Sequence, residues 1–242
     1  MTRLVFVGGG RLAGILYSTF HRHYNVLGYV DDVYPSAYLS ATYGVPSLGT
    51  SSALAAIRAE GVKAVVTITD AAARKRYAEL LESLGFETTT LIFPTAVIDE
   101  HARVGPGCII RHQAVISAQA ELGRNCIVGD NAYVGHDCVI GAYTYVAPGV
   151  NINGSVIIGE GCFLGTGAVI LPDRRVGAGC TVGAAACVIA DVPDGQTVAG
   201  VPARPLVGTG HQPATAVPAH EAVRRGSKCP DDPPPRGGSR KR

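Results

Sequence analysis

The chain has 242 residues, of which 47% are hydrophobic and 17% charged, with 31 glycines, one methionine and a formal net charge of +2. This composition excludes a mostly disordered chain, and an aromatic content of 6% without tryptophan excludes a core built on large aromatic side chains. Residues 1–206 carry 14 basic and 16 acidic residues, whereas residues 207–242 carry seven and three, so we expect no nucleic-acid-binding face on the folded body. No signal peptide and no apolar run of membrane-spanning length is visible, which predicts a cytoplasmic protein without a membrane span.

The first 93 residues alternate between short apolar strands and helical patterns. Strands are predicted at 4–7, 26–30, 64–68 and 89–92, and helices after residue 10, at 52–59 and at 71–84. This alternation is typical of a parallel sheet, so we predict a small Rossmann-like domain over residues 1–93. Pro94 marks the passage into the next domain.

A glycine-rich turn follows the first predicted strand and precedes the first helix. Gly8, Gly10 and Ala13 have the spacing of a phosphate-binding turn, and Asp31 follows about 20 residues later, where such folds contact a ribose or base. The alternative, a glycine-rich packing turn without a ligand, stays open.

From Ile98 to Val188 an aliphatic residue recurs at every sixth position, in 16 of 16 hexads. The second place of the hexad is glycine in nine of them, and the fifth place is small or β-branched in all but one, which has Arg174. This pattern predicts a hexapeptide β-helix over residues 94–206, in which three short parallel strands make one triangular coil of 18 residues. The first and fifth places point inward, and we expect the second-place glycines to let the chain bend.

Five of the seven cysteines occupy fifth places, so we interpret them as small buried side chains rather than as metal ligands or disulfides. Residues 207–242 contain six prolines and end in Arg-Lys-Arg, which predicts a disordered, basic, proline-rich tail.

His136 and Asp137 are the best candidates for chemistry in the β-helix. His136 takes an outward third place, where a neutral imidazole accepts a proton near physiological pH, and Asp137 is placed to hold the other ring nitrogen. One coil later stands Gly154, whose backbone N–H would lie close to the reacting centre and stabilise an oxyanion. A surface histidine without a role is the simpler alternative.

The remaining histidines of the β-helix are weaker candidates. His112 shares the hexad place of His136 but has no acidic neighbour, and His101 lies near the first coil. Since these histidines fall on different edges or coils, we predict no metal site.

Residues 1–206 resemble bacterial sugar acetyltransferases that join a small Rossmann-like domain to a left-handed β-helix. These include nucleotide-amino-sugar N-acetyltransferases and sialic acid O-acetyltransferases. The resemblance rests on segments in both halves of the chain: Gly8-Gly9-Gly10, Gly28-Tyr29-Val30-Asp31-Asp32, Gly44-Val45-Pro46-Ser47-Leu48-Gly49, Leu91-Ile92-Phe93-Pro94-Thr95-Ala96, Gly135-His136-Asp137-Cys138-Val139-Ile140-Gly141 and Ala199-Gly200-Val201-Pro202-Ala203-Arg204.

The resemblance implies a homotrimer with acetyl-CoA lying between neighbouring β-helices and a nucleotide-sugar substrate. It implies that His136 is the general base, that Asp137 is its partner and that the Gly154 N–H binds the thioester oxygen. It places coenzyme contacts at Gly165, Thr166 and Ala184. It places nucleotide-sugar contacts at the first βα turn and at the end of the second and third strands: Gly8, Gly10, Arg11, Asp31, Asp32, Thr69 and Asp70.

The sequence departs from the usual family pattern at six positions. Arg11 and Phe93 stand where the family commonly has histidine, and Tyr145 stands where many members have a second histidine near the acetyl group. Thr69 replaces a usual glycine, and Ala71 and Gly129 replace a frequent asparagine. We expect these departures to surround the acceptor pocket.

We therefore predict an acetyl-CoA-dependent acetyltransferase acting on the amine of a nucleotide-linked amino-deoxysugar in glycan or glycoconjugate biosynthesis. The main alternative is an O-acetyltransferase that modifies a hydroxyl of a sialic-type sugar. Two further alternatives are a non-catalytic trimeric scaffold and a nicotinamide-dependent oxidoreductase, the latter because of the Gly8 and Asp31 pattern.

Overall fold

The computed structural model describes residues 1–33, 40 and 44–206. The predicted tail, 207–242, lies outside the described residues. The described residues up to 206 fall within one compact unit, so the division at residue 93 stays a proposal. Within the described ranges no helix has both the length and the apolar character needed to cross a membrane.

The N-terminal part is a four-stranded parallel sheet in the order β2-β1-β3-β4. The last four residues of β1 and nearly all of β3 are buried because helices cover both faces of the sheet. Its elements are β1 Thr2–Val7, α1 Arg11–Phe20, β2 Tyr24–Val30, a 3-10 turn Ser51–Ala53, α2 Leu54–Ile57, β3 Val62–Val66, α3 Ala71–Ser83 and β4 Glu87–Thr88.

From Leu91 onward the chain winds as a triangular β-helix. Its strands are β5 Leu91–Ile92, β6 Val97–Ile98, β7 Arg103–Val104, β8 Ile109–Ile110, β9 Val115–Ile116, β10 Glu121–Leu122, β11 Ile127–Val128, β12 Tyr133–Val134, β13 Val139–Ile140, β14 Tyr145–Val146, β15 Asn151–Ile152, β16 Ile157–Ile158, β17 Phe163–Leu164, β18 Val169–Ile170, β19 Arg175–Val176, β20 Thr181–Val182, β21 Cys187–Val188, β22 Thr197–Ala199 and β23 Arg204–Pro205.

Three sheets form the faces of the prism. From β5 to β21 every third strand belongs to the same face, and β22 and β23 both join the eight-stranded face. From β5 to β18, each strand pairs in parallel with the strand 18 residues later, as Glu121 does with Val139, which confirms the predicted coil. We name the three edges by a residue on each. The Tyr143 edge follows the five-stranded face, the Thr166 edge the eight-stranded face and the His136 edge the six-stranded face.

The interior is filled by the first and fifth places of the hexads, as predicted. Ile110, Val134 and Ile152 are fully buried, and so are the fifth-place cysteines, all of which are free thiols. Stacking like residues at a spacing of about 4.8 Å gives each of them close-packed neighbours above and below.

The second-place glycines have a different role from the one expected. Their φ angles are ordinary, but a Cβ at Gly135 would lie 2.7 Å from the carbonyl carbon of Asn153, on the next coil. Glycine is therefore required for close approach between coils. The bend falls at the fourth place, where φ is positive in fourteen successive hexads, from Gly107 to Ala185.

The coil also begins earlier than predicted. Leu91 and Ile92 pair with Ile109 and Ile110 and not with the N-terminal sheet. The N-terminal sheet instead ends with the two-residue strand β4, so the predicted strand at 89–92 is wrong as a member of that sheet.

Candidate active site

His136 and Asp137 lie at the corner that follows β12, on the His136 edge. Both side chains are more than half exposed, because third and fourth places turn away from the prism interior. Asp137 has a φ of 57°, a left-handed conformation that aspartate tolerates better than most residues. The tight corner leaves the two side chains side by side.

The imidazole of His136 is held between Asp137 and Gly154. Its Nδ1 lies 2.7 Å from Oδ2 of Asp137, which fixes the ring and leaves Nε2 for another partner. Gly154 is one coil away on the same edge, and a Cβ built there would lie only 2.5 Å from Cε1 of His136. The ring therefore occupies space that exists because residue 154 has no side chain. This arrangement places a proton acceptor beside a bare backbone segment.

Gly165, Thr166 and Ala184 lie together, but on the Thr166 edge. A Cβ at Gly165 would come within 2.6 Å of the Ala184 backbone nitrogen, and Thr166 accepts the Ala185 N–H at its carbonyl oxygen at 2.8 Å. The side chains of Thr166 and Ala184 are exposed. Within one chain the structure does not bring this cluster to His136, because the two groups lie on different edges of the prism.

The glycine-rich turn lies at the carboxyl ends of the parallel strands, the usual ligand edge of such sheets. Gly8 has a φ of 109°, and a Cβ there would lie 2.6 Å from Cγ1 of Ile68, so packing alone requires glycine at this position. Gly10 is the N-cap of α1, and no side chain caps this helix. Arg11 is exposed at its first position. Asp31 accepts the Gly9 N–H at Oδ2, so the structure brings the turn and this acid together.

The other predicted substrate residues have partners inside the fold. Asp32 accepts hydrogen bonds from the Ser51 N–H at 2.8 Å and from the Tyr77 hydroxyl, and the Tyr77 bond is the main reason why the pKa of Asp32 is lowered. Asp70 caps α3 by accepting the Ala73 N–H at 2.8 Å. The carbonyl oxygen of Thr69 accepts a hydrogen bond from the side chain of Arg74, on α3. These contacts explain the residues without a ligand.

Of the departures, Phe93 is not at an open pocket. It is fully buried, with its ring edge-to-face against Phe20 at 5.1 Å and against His112 at 4.3 Å. The expectation that Phe93 lines the acceptor pocket is therefore wrong, because the first coil packs against α1 at this point. Tyr145 instead stacks on Phe163, whose ring is 39% exposed, and burial raises the pKa of Tyr145.

The weaker histidine candidates lie apart. His101 pairs with Asp99 at 3.3 Å, and His112 contacts the Thr95 hydroxyl at 2.9 Å. In the part of the chain that the structure describes, no group of three side chains has the arrangement of a metal site.

Comparison with known proteins gives matches over most of the chain. PerB from Caulobacter crescentus, solved with CoA and GDP-perosamine, is 32% identical, with 84% of this chain and 96% of that chain covered and a TM-score of 0.79. The acetyltransferase domain of PglB from Neisseria gonorrhoeae is 32% identical over 85% of this chain and 100% of that chain, with a TM-score of 0.79. WeeI from Acinetobacter baumannii is 26% identical over 85% and 100% of the two chains, with a TM-score of 0.78.

The family described as bacterial transferase hexapeptide (six repeats) matches residues 119–154, which include both His136 and Gly154. No curated protein matches the chain.

Proposed function

The chain belongs to the family of left-handed β-helix sugar N-acetyltransferases that includes PerB and the PglB acetyltransferase domain, and from this premise we propose how its residues act. It is an acetyl-CoA-dependent acetyltransferase of a nucleotide-linked amino sugar. PerB was solved with CoA and GDP-perosamine, and the PglB domain with acetyl coenzyme A.

His136 is the general base. The contact of its ring with Gly154 carries this proposal, because it leaves Nε2 beside backbone that has no side chain while Asp137 holds Nδ1 at 2.7 Å. His136 Nε2 takes a proton from the acceptor amine as the amine attacks the thioester carbonyl of acetyl-CoA. Asp137 stabilises the imidazolium that results.

Gly154 supplies the second part of the chemistry. Its backbone N–H donates a hydrogen bond to the carbonyl oxygen as negative charge develops there. The carbonyl carbon–sulfur bond then breaks, and His136 returns its proton to the departing thiolate. The products are the acetamido sugar and CoA, so protons and electrons balance without another reactant.

The coenzyme site needs two chains. A single coenzyme molecule must contact both the base and the Gly165, Thr166 and Ala184 cluster, yet these lie on different edges of one prism. A homotrimer with parallel prisms places the Thr166 edge of one protomer against the His136 edge of the next. Exposure of Thr166 and Ala184 supports this arrangement, because none of the described residues of their own chain covers them.

The acceptor binds at the carboxyl edge of the N-terminal sheet. The N-terminus of α1 and the backbone of Gly8–Arg11 favour the diphosphate, since helix N-termini attract anions. Asp31, Asp32, Thr69 and Asp70 shape this edge chiefly through their contacts within the fold. The preferred acceptor is an amine at C4 of the deoxysugar. The enzyme would work in the cytoplasm, in the assembly of a glycan or glycoconjugate.

The test is a panel of UDP-, GDP-, dTDP- and CMP-linked 4-amino sugars offered with acetyl-CoA, with release of free thiol followed and the product identified by mass. We expect one or more amino sugars to be acetylated, and the His136→Ala variant to lose this activity while it still binds CoA. Turnover of hydroxylated sugars only would indicate O-acetylation instead. Release of thiol at the same rate by wild type and variant would exclude His136 as the base.

A further inference from the structure

Arg74, on α3, is the largest fully buried side chain of the described residues, although it is charged. Four backbone carbonyls surround its guanidinium. Nη1 donates to the carbonyls of Ile68 and Thr69 at 2.8 and 2.7 Å, Nε donates to that of Asn125 at 2.9 Å, and Nη2 donates to that of Tyr143. None of these hydrogen bonds goes to a carboxylate.

Removal of this charge from water has a cost that the carbonyls offset. Burial lowers the pKa of Arg74 to about 10, so the group stays protonated near neutral pH. A lysine lacks the planar fork that reaches four carbonyls at once, so it does not replace arginine at such a site. The side chain is therefore built into a specific set of contacts.

These contacts join two different parts of the molecule. Ile68 and Thr69 follow β3, at the sheet edge that also contains the glycine-rich turn. The hydroxyl of Thr67, the residue before Ile68, connects this segment to the turn by donating to the Gly8 carbonyl. Asn125 and Tyr143 lie one above the other on the Tyr143 edge, one coil apart.

The two β-helix carbonyls that Arg74 contacts belong to residues on either side of the proposed base in the sequence. Along the chain, Asn125 precedes His136 and Tyr143 follows it, each by less than one coil. The height of the nucleotide-binding edge along the prism is thus fixed relative to the coil that carries His136. Reacting atoms must approach to about 3–3.5 Å, and a displacement of about 1 Å can cost about 100-fold in rate.

We propose that Arg74 is a positioning residue, which holds the nucleotide-binding edge at the height along the β-helix from which the acceptor amine reaches the general base. This inference rests on the proposed function, because it requires the acceptor to be bound by the N-terminal sheet. Arg74 touches neither substrate. Its effect passes through the carbonyls of Ile68 and Thr69.

A neighbouring residue provides a matched control. Lys75 also bridges α3 and the β-helix, through an ion pair with Glu160 at 2.7 Å, but both side chains are about half exposed. Exposed pairs contribute little to stability, so Lys75→Ala should leave the two parts in register. The comparison therefore distinguishes the effect of the buried Arg74 guanidinium from the effect of an exposed ion pair that joins the same two parts.

The experiment compares Arg74→Lys, Arg74→Met and Lys75→Ala with the wild type, using the best amino sugar of the panel as the acceptor. Active sites are counted by CoA titration, and the affinity of the N-terminal sheet is measured with the nucleoside diphosphate of that sugar. We expect both Arg74 variants to lower kcat per CoA-binding site by about 100-fold, with the Kd of CoA and of the nucleoside diphosphate within about threefold of the wild type. Lys75→Ala should keep kcat within about twofold.

Three results would overturn the inference. The first is a kcat per CoA-binding site within threefold of the wild type in Arg74→Lys. The second is a loss that follows only the fraction of protein able to bind CoA, which indicates a purely structural role. The third is a loss explained by weaker nucleoside diphosphate binding, which indicates a local role in the loop. If Arg74→Met does not fold, Arg74→Lys decides alone, and failure of both variants to bind CoA counts as the second result. Failure of the wild type on every amino sugar contradicts the proposed function and is thereby distinguished.

Discussion

Gly154→Ala is the substitution that most directly tests the contact on which the mechanism depends. The backbone at residue 154 does not need glycine for its own conformation, since its φ is not positive. The added Cβ would lie 2.5 Å from Cε1 of His136, whereas ordinary contacts begin at 3.4 Å. The ring must therefore retreat by about 1 Å, and its bond to Asp137 must move with it. A misplacement of this size costs about 100-fold in kcat.

The assay is steady-state acetylation with saturating acetyl-CoA, together with thermal unfolding. We expect kcat to fall by about 100-fold while the melting temperature changes by less than about 3 °C, because the site is on the surface. Ser155→Ala is the control, since it is the next residue on the same edge, is exposed, and has a φ of 59° that Ala185 shows to be compatible with alanine. Its activity should stay within about twofold.

A kcat of Gly154→Ala within threefold of the wild type would show that close contact between residue 154 and the imidazole is not needed for catalysis. A double variant adds a second check. Once His136 is alanine, the extra methyl group at residue 154 has no ring to displace, so Gly154→Ala should cost little more in the His136→Ala background. Equal losses in both backgrounds would show that the methyl group acts on something other than the imidazole.

Four further outcomes are expected. His136→Ala should lower kcat by at least about 100-fold, and activity within tenfold of the wild type would exclude it as the base. Asp137→Asn should lower kcat by at least about tenfold with the fold intact, because asparagine accepts the left-handed conformation but does not stabilise an imidazolium; unchanged activity would contradict this. Mixing His136→Ala protomers with Ala184→Trp protomers, each inactive alone, should restore about a quarter of wild-type activity if each site in a trimer combines two chains, whereas no recovery after exchange of subunits would place the site within one chain. Asp32 has a folded-state pKa below its unfolded value, so its contribution to stability is present at neutral pH and is lost as the pH falls through the folded pKa. Tyr77→Phe should therefore lower the melting temperature more at about pH 7 than at about pH 3, and an equal deficit at both would refute that account.

The β-helix could be predicted closely because each hexad repeats the same local rule. Aliphatic first places and small fifth places fill a narrow interior, so Ile110 and Val134 are buried wherever the period places them. The contact of His136 with Gly154 follows from the same period, since residues one coil apart lie directly above each other. The catalytic roles of these residues stay predictions.

The bends were harder to locate because most of the residues that make them are not glycines. Nine of the fourteen positive-φ fourth places hold other residues, including Gln113, Asn131 and Tyr143, so glycine content points to the wrong place of the hexad. The glycines at second places are needed because the backbone of the next coil lies so close to them. This is a contact between residues far apart in sequence. Continuing the period backwards to Ile92 would have found the first coil.

Arg74 gave no signal in the sequence at all. A charged residue in a helix such as α3 is usually solvated, and its burial depends on four carbonyls that only the folded chain brings together. The position of Thr166 relative to His136 of a neighbouring chain could not be predicted for a similar reason. It depends on which edges of two separate prisms meet, and one chain does not contain that information.

The fixed interval between successive coils restricts how this chain can change in length. An insertion or deletion of six residues between His136 and Gly154 would turn Gly154 onto another side of the screw, whereas duplication of a whole 18-residue unit would preserve every alignment on either side of it. Each added unit lengthens the wall by about 4.8 Å. Evolution can therefore enlarge the molecule beyond Ala184 by copying complete units while the reaction centre below remains undisturbed.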